Sequence, residues 1–274
     1  MSPCLARVRC AMGVALLSVL LSVLLSMTAG ISCVYAADAP PPAPAPRDAN
    51  GKVLLSNAPG QKTGLWVTDY STRIPMFDLK NIAFKPWAKA LLEVRQTQNL
   101  EPHTRCKPSG AIRQFLTPYG VEILDMPELQ QVYIFDLGGP HTWRTIYMDG
   151  RGHPADLEPT YYGHSIGHWE GDTLVVDSVG YNTGFWFERS GLPHTEAVHV
   201  VEYFTRRDKN TMEYRFVMTD PQTYDAPVEG KLRMKWSEGE ELFEYVCQQS
   251  NYAPELMVRK DDLKSIGKSS PIIP

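Results

Sequence analysis

Polar and apolar residues alternate with a period of two over most of the chain beyond residue 130. Segments such as QVYIFD (131–136), TLVVDSV (173–179) and TMEYRFVMT (211–219) are rich in aromatic and β-branched residues, and turn formers such as Gly171-Asp172 separate them. The pattern predicts consecutive hairpins of short antiparallel strands. Further strands of this kind are predicted at 142–148, 162–170, 197–206, 230–236 and 241–247.

One segment has a helical period instead. In PWAKALLEVRQTQNL, Pro86 suits the first helical position, and Trp87, Leu91 and Val94 recur at i, i+4 and i+7. The spacing predicts an N-terminal helix that buries these three side chains.

The strand pattern also predicts how the sheet is arranged. About eight antiparallel strands either stack as a sandwich or close into a barrel, and closure removes exposed edges. Leu232, Met234 and Trp236 alternate with basic residues, which indicates one buried and one solvated face. We therefore predict a mainly β fold, an antiparallel meander closing into a lipocalin-like barrel or sandwich with one N-terminal helix. A barrel with an internal cavity fits this pattern best.

The first 36 residues differ from the rest. Arg7 and Arg9 precede the uncharged run AMGVALLSVLLSVLLSMTAGI, and Val34-Tyr35-Ala36 suits signal peptidase, so we predict an exported protein, periplasmic or secreted. The run is long enough to span a bilayer, so an uncleaved anchor stays open as the membrane association. The predicted organisation is a signal peptide (1–36), a Pro-rich linker (37–53), a single β-rich domain (54–260) and a C-terminal tail (261–274).

Composition narrows the functional classes. The chain has 274 residues, 43% hydrophobic and 21% charged, which excludes a disordered, coiled-coil or collagenous protein. A net charge of −4 offers no basic field, so we expect no nucleic-acid partner; no feature indicates an oligomeric state. Outside the signal only Cys106 and Cys247 remain, and an even pair in an oxidising compartment predicts one disulfide, with two reduced thiols as the alternative.

Six of the seven histidines lie between positions 141 and 199, among many carboxylates. Imidazole changes charge near neutral pH, so this crowding favours general acid/base chemistry. The candidate catalytic residues are His164, His194, His153 and Glu170.

Metal and nucleotide signals are weak. His164 and His168 have i, i+4 spacing, but on a strand they are about 13 Å apart, too far to share an ion. No metal site is predicted, although a metal held by histidines of different strands stays open. Neither G-x-G-x-x-G after a strand nor G-x-x-x-x-G-K-S/T occurs, so we expect chemistry without a cofactor.

The same region is rich in aromatic residues, which suits a site for a flat or apolar small molecule. The loop GFWFERSG (184–191) places large apolar residues between glycines, as expected for a lid over a pocket. The candidate substrate-binding residues are Arg144, Tyr147, Tyr162, Trp169, Asn182 and Trp186.

Gly163-His164-Ser165-Ile166-Gly167 matches the nucleophile elbow G-x-S-x-G of serine hydrolases. That elbow requires a helix after the serine, whereas HWEGDTLVVD reads as strand, turn and strand. We expect the glycines to let the strand bend, and hydrolysis by Ser165 ranks third among the functions considered.

The motifs RTIYMDGRGHP, PTYYGHSIGHWEGDTLVVDSVGYN and GLPHTEAVHVVEYF resemble a family of exported bacterial proteins of unassigned activity that share a G-H-S-x-G-x-W-E-G-D-T-L-V-V-D core. The resemblance covers roughly residues 104–250 and brings no established mechanism. It implies that His168 lies outside the family pattern. The residues that match family positions are His153, His164, Trp169, Glu170, Asp172, Asn182 and His194.

The leading hypothesis is a cofactor-independent lyase or isomerase acting on an aromatic or apolar small molecule, such as a phenolic, lignin-derived, steroid or polyketide compound. His164 would be the general base and His194 or His153 the acid, while Arg144 with Tyr147 would hold an oxyanion or phenolate. The alternative is a lipocalin-like periplasmic binding protein for the same kind of ligand.

Overall fold

The computed structural model describes most of the chain after the predicted signal peptide. The predicted signal peptide and the predicted C-terminal tail lie outside the described residues. The chain divides into two compact units, Met1–Pro40 and Pro41–Pro274, and all described residues belong to the second. The described residues are 41–56, 58, 60, 62–72, 76–98 and 101–247.

In this part of the chain, nine strands form a closed barrel in chain order. Each strand pairs with the next, and β9 pairs with β1 at positions such as Trp66↔Trp236, which closes the sheet. The prediction of a mainly β domain that closes into a barrel is confirmed, and the sandwich alternative is excluded. The strands are β1 (Gly64–Thr68), β2 (Val121–Met126), β3 (Gln131–Asp136), β4 (Trp143–Tyr147), β5 (His164–Glu170), β6 (Thr173–Val179), β7 (His199–Arg206), β8 (Thr211–Thr219) and β9 (Val228–Glu238).

The barrel departs from a purely antiparallel meander at one place. β4 and β5 pair in parallel, at Ile146↔Ser165 and Tyr147↔Ile166. A parallel pair needs a crossover rather than a tight turn, and residues 148–163 supply it. This crossover contains His153, which contacts the outward side chains of His164 on β5 and Asp177 on β6.

Two strand predictions need correction. β1 and β2 were not among the predicted strands, and the predicted strand 241–247 has no strand structure. β9 already pairs with both β8 and β1, up to Gly64↔Glu238, so no edge is open for the next segment. The chain therefore leaves the sheet after Glu238.

The two glycines of the G-x-S-x-G match lie where neighbouring atoms leave no room for a Cβ atom. Gly163 precedes β5 with φ +65°, and a Cβ there would lie 2.5 Å from the carbonyl oxygen of Val179. A Cβ at Gly167 would lie 2.7 Å from Sδ of Met148. The glycines thus permit β5 to enter the wall beside β4.

Large side chains fill the barrel interior. Tyr214, Phe216, Phe204 and Trp66 are each at most 1% exposed. The Tyr214 ring contacts those of Phe204 and Phe216, with the centroids of Phe204 and Tyr214 5.0 Å apart, and the Trp66 ring contacts that of Trp236. Among the described residues, the barrel interior is thus packed with aromatic side chains, as in other small barrels.

The α-helix of the described residues, α1 (Pro86–Gln98), begins at Pro86 as predicted but buries a different face. Ala88, Leu92 and Arg95 are buried, whereas Trp87 and Val94 of the predicted stripe are 43% and 44% exposed. The buried face is shifted by one residue from the predicted one. A prediction based on apolar residues misses this face because one of its buried positions is an arginine.

Part of the predicted linker is docked on the barrel. Arg47 makes two hydrogen bonds to Asp172 in the β5–β6 turn, at 2.9 and 2.6 Å. The backbone N–H of Lys209 donates to the carbonyl oxygen of Ala43 at 2.7 Å. Just after the predicted linker, Arg206 donates to the carbonyl oxygens of Leu54 and Ser56, both at 2.8 Å. The proline-rich composition does not predict these hydrogen bonds, because their partners are residues more than 100 positions later in the sequence.

The predicted disulfide is confirmed. Cys106 and Cys247 are bonded, with Cα atoms 5.5 Å apart, across a sequence separation of 141. Such cross-links persist in oxidising compartments. In the part of the chain that the structure describes, no helix is both long and apolar enough to cross a membrane.

A buried ion pair lies inside the barrel. Arg144 Nη1 donates to Glu202 Oε1 at 3.0 Å, Nη2 bonds Oε2, and both side chains are at most 1% exposed. Arg144 Nε donates to Ser165 Oγ (3.0 Å) and Nη2 to Ser178 Oγ (2.9 Å), while Tyr214 donates to Glu202 (2.9 Å). The charges are therefore compensated by each other and by three hydroxyl groups.

Removal of the disulfide should destabilise the domain. In the Cys106→Ala, Cys247→Ala double variant we expect the free energy of unfolding to fall by about 2–5 kcal/mol, because the unfolded chain regains the entropy of a long loop. Urea unfolding measures the difference. A reductant should destabilise the wild type similarly and leave the double variant unaffected; equal stability of the two proteins would contradict the prediction.

Breaking the buried ion pair should cost more than breaking an exposed one. Glu202→Gln leaves the guanidinium of Arg144 without a counter-charge, and we expect a loss of about 3–5 kcal/mol in urea unfolding. Glu213→Gln is the matched control, since Glu213 pairs with Arg207 at the surface; its loss should stay below about 1 kcal/mol. Similar losses of unfolding free energy in the two variants would contradict the prediction that the buried pair matters more than the exposed one.

Candidate functional site

A cleft of about 390 Å³ lies against the outer face of the barrel wall, where β4 meets the start of β5. Outward positions of β4 form its floor, because Arg144 and Ile146 point inward and Trp143, Thr145 and Tyr147 alternate with them. The volume falls in the range of small-molecule sites. The lining residues are Pro108, Thr142, Trp143, Arg144, Thr145, Tyr147, Thr160, Tyr161, Tyr162, Gly163 and His164.

Two of the predicted catalytic histidines meet at one end of this cleft. His164, the first residue of β5, and His153, in the crossover before it, have their Nδ1 atoms 2.8 Å apart. His153 Nε2 lies 3.3 Å from Oδ1 of Asp177, an outward residue of β6. The same carboxylate oxygen accepts from His199 Nε2 at 2.6 Å. A hydrogen-bonded chain thus crosses three strands on the outside of the barrel.

The partners determine which nitrogens carry protons. Asp177 can only accept when ionised, so His153 Nε2 carries a proton and its Nδ1 does not. His153 Nδ1 therefore accepts the Nδ1 proton of His164. This leaves Nε2 of His164 unprotonated, which is the form that a general base requires.

The His164 ring has an aromatic and cationic environment. Tyr147 stacks on it with centroids 5.2 Å apart, and the Arg151 guanidinium lies 4.1 Å above the Tyr147 ring. Burial lowers the pKa of His164, and the neighbouring His153 and Arg151 lower it further. The neutral imidazole is accordingly favoured at neutral pH.

A second set of polar groups borders the cleft. The hydroxyl of Tyr162 donates to Oδ2 of Asp136 at 2.9 Å and lies 2.7 Å from the hydroxyl of Thr142. Asp136 is 1% exposed and also accepts from the backbone N–H of Gly138 at 2.8 Å. Burial raises the pKa of Asp136 to about 6, although its hydrogen bonds and the charge of Arg113 lower it.

His194, the third predicted catalytic histidine, is not at the cleft. Its Nε2 donates to the carbonyl oxygen of Asn182 at 2.9 Å, and its ring contacts Phe185 and Phe187. Its Nδ1 has no hydrogen-bond partner within the described residues. Burial lowers the pKa of His194 to about 4, so this imidazole is a neutral part of an aromatic core.

The predicted lid is also part of that core. Phe185, Trp186 and Phe187 are at most 8% exposed, and Arg95 of α1 lies 5.1 Å over the Trp186 ring. Arg95 Nη1 further donates to the carbonyl oxygen of Gly191 at 3.1 Å. The loop is held down by the helix, so the substrate-binding role predicted for Trp186 is not supported by its position.

The side chains of two candidate residues face the barrel interior and not the cleft. The guanidinium of Arg144 is committed to Glu202 inside the barrel, so only its backbone side reaches the cleft, and the predicted oxyanion contact needs correction. Ser165 is 1% exposed and bonded to Arg144 and Ser178 within a strand. This placement disfavours a nucleophile, because an elbow exposes its serine at a turn before a helix.

The remaining candidates lie away from the histidine pair. Glu170, at the far end of β5, bonds the exposed His168 at 3.1 Å. Trp169 lies beneath the Lys52 ammonium, 4.6 Å from the ring centroid. Asn182 Oδ1 accepts from the Gly184 N–H at 3.0 Å within its own loop. The structure therefore brings together His153, His164, Tyr147 and Tyr162, but not Glu170, Trp169 or Asn182.

Sequence reasoning missed Asp177 as the partner of His153, although a signal existed. The two-residue turn Gly171-Asp172 pairs Glu170 with Thr173, which places Asp177 opposite Ile166 and diagonal to His164. No comparable signal pointed to Asp136 or Thr142, whose partner Tyr162 arrives through the crossover.

No group of three or more His, Cys, Asp or Glu side chains in the described ranges is placed to hold a metal ion. Comparison of the chain with protein-family models, curated proteins and solved structures yielded no match.

The buried His194 should make stability depend on pH. Its pKa lies below that of a histidine in the unfolded chain, so the unfolded state binds the extra proton and stability falls from pH 6.5 towards pH 4. His194→Gln should reduce that fall by up to about 3 kcal/mol in urea unfolding. His168→Gln, which changes an exposed histidine, should retain the wild-type pH profile; the same profile in His194→Gln would contradict the prediction.

Proposed function

We propose that the protein catalyses cofactor-independent acid/base chemistry, a lyase or isomerase step, on an aromatic small molecule bound in the outer cleft. The single observation on which the proposal rests is the chain His164–His153–Asp177, which opens into a cleft with aromatic walls. His164 Nε2 removes a proton from the substrate.

The histidine pair supports this role because the hydrogen bond between the two Nδ1 atoms fixes the His164 ring and its tautomer, which leaves Nε2 to accept a proton. When His164 Nε2 takes a proton, its Nδ1–H bond to His153 becomes charge-assisted. His153 is in turn held by the carboxylate of Asp177, which stabilises the imidazolium form. The arrangement follows the general logic of a base oriented by a second group.

The side chains that line the cleft suggest the class of substrate. Trp143 is 60% exposed and, with Tyr147, Tyr161 and Tyr162, provides flat apolar surface beside a few hydroxyl groups. Such walls suit an aromatic ring, which gains from stacking as well as burial. Phenolic and lignin-derived compounds fit this description better than steroids, whose rings are not flat.

A carrier of aromatic compounds without catalytic activity is the second candidate. The barrel fold and the aromatic cleft suit it, but a carrier has no use for a base held by a second histidine and a carboxylate. We further propose that the protein is exported, on the signal-like N-terminus and the disulfide, and that it belongs with the exported bacterial proteins its motifs resemble.

The proposal can be tested without the natural substrate. 4-Hydroxydeoxybenzoin, a two-ring ketone with acidic C–H bonds, is incubated with the protein in D₂O, and exchange at the carbon next to the carbonyl is followed by NMR. The wild type should accelerate exchange, and His164→Gln should lose roughly 10²–10⁴-fold of that acceleration, as for removal of a general base.

The matched control is His168→Gln, since His168 lies on the same strand with its side chain 63% exposed and bonded to Glu170. It should exchange the ketone at the wild-type rate. If the wild type binds the ketone without exchanging it, or if His164→Gln exchanges it normally, the acid/base proposal fails and the carrier is favoured.

A further inference from the structure

The polar groups at the other end of the cleft form a line from the surface to a buried carboxylate. Thr142 and Tyr162 both line the cleft, and their hydroxyl oxygens are 2.7 Å apart. The Tyr162 hydroxyl is also 2.9 Å from Oδ2 of Asp136, which is 1% exposed. Three oxygen atoms are thus connected by hydrogen bonds, and the histidine chain described above does not use them.

We propose that Thr142, Tyr162 and Asp136 form a second proton relay that opens into the cleft and serves the far end of an elongated, two-ring ligand bearing a hydroxyl group. The inference extends the proposed function to the substrate class and to a second proton-transfer station. It depends on that function only in assuming that an aromatic ligand occupies this cleft.

The direction of the hydrogen bonds follows from the charge of Asp136. An ionised carboxylate only accepts, so Tyr162 donates to Asp136, Thr142 donates to Tyr162, and the Thr142 oxygen faces the cleft as an acceptor. A protonated Asp136 reverses every bond. It donates to Tyr162, Tyr162 donates to Thr142, and Thr142 presents its proton to the cleft.

A proton can therefore cross the line without any change in heavy-atom positions. The ligand hydroxyl gives its proton to Thr142 Oγ1, the Thr142 proton passes to Tyr162 Oη, and the Tyr162 proton passes to Asp136 Oδ2. One O–H bond breaks at the ligand and one forms at Asp136. The negative charge moves from the carboxylate to the ligand oxygen, and no electron acceptor is needed.

The surroundings of Asp136 suit such a group. The pKa of about 6 allows both charge states near neutral pH. The other groups that face it are the guanidinium of Arg113, which is paired with Glu101, and the hydroxyl of Ser109, which lies 3.1 Å from Nδ1 of His103. Burial raises the pKa of Tyr162 and Asp136 raises it further, so Tyr162 passes a proton along while remaining neutral.

The spacing of the two relays indicates the length of the ligand. The parallel register places His164 beside Thr145, three residues along from Thr142. At about 3.3 Å per residue, the Cα atoms of Thr142 and Thr145 are about 10 Å apart, which sets the scale of the separation between the two stations. A single ring does not span this distance, whereas two linked rings with oxygen substituents at their ends do.

Two biphenyls that differ in one group test the relay. 4,4′-Dihydroxybiphenyl has a hydroxyl donor for each of the two acceptors, Thr142 Oγ1 and His164 Nε2. 4-Hydroxy-4′-methoxybiphenyl has a single donor, so in either orientation one of these acceptors faces its ether oxygen. Fluorescence titration gives the dissociation constant of each at pH 8 and pH 5. In the wild type the hydroxyl compound should bind about five- to tenfold more tightly at pH 8, and the two should bind nearly equally at pH 5.

Variants assign the effect to the relay rather than to protonation of His164. In Asp136→Asn the amide N–H₂ donates to Tyr162 and holds the reversed direction, so the preference should be close to one at both pH values. Thr142→Val removes the outward hydroxyl and should also abolish the preference. The matched control, Thr205→Val, removes a hydroxyl that pairs with Thr173 outside the cleft and should behave as the wild type.

The outcomes separate the two proposals. A preference that does not change with pH in the wild type, or one that changes equally in Asp136→Asn, overturns the relay. If ketone exchange still depends on His164 in that case, the proposed function stands without it. Failure of both biphenyls to bind overturns the elongated ligand and the relay, and the exchange experiment then decides the function separately.

Discussion

The ion pair between Arg144 and Glu202 determines which side chains of β4 face the barrel interior and which face the cleft. Two opposite charges enclosed in an aromatic core are tolerated only if each is compensated by the other and by hydrogen bonds. Hydroxyls from β5, β6 and β8 provide those bonds. Once Arg144 points inward, the pleat turns Thr145 and Tyr147 outward, and Ser165 likewise turns His164 outward.

The two faces of the wall therefore carry polar networks of different kinds. Inside, the arginine, the glutamate and the hydroxyls bond one another in a closed network. Outside, the chain from Asp177 through His153 ends at His164, which lines the cleft. The proposed function uses this open end for proton transfer, whereas a closed network can only stabilise the fold.

Several residues show which structural features sequence patterns predict and which they do not. The barrel follows from the period of two and the turns between strands, and Pro86 correctly predicts the start of α1. The buried face of that helix was wrong because Arg95 is buried through its stem and its contact with Trp186, which hydrophobic periodicity ignores. His194 and Trp186 were assigned to a site because they look chemically useful, yet burial places both in the core.

The sequence by itself determined the class of fold, the disulfide and the alternation of side chains along each strand, because these depend on local periodicity and on cysteine number. Only the tertiary structure decided which alternating face carries the candidate site. That choice depends on closure of the sheet, which places Arg144 opposite Glu202. It depends equally on the crossover of residues 148–163, which brings His153 and Tyr162 to the cleft. Sequence patterns do not reveal these contacts, because they join residues that are distant along the chain.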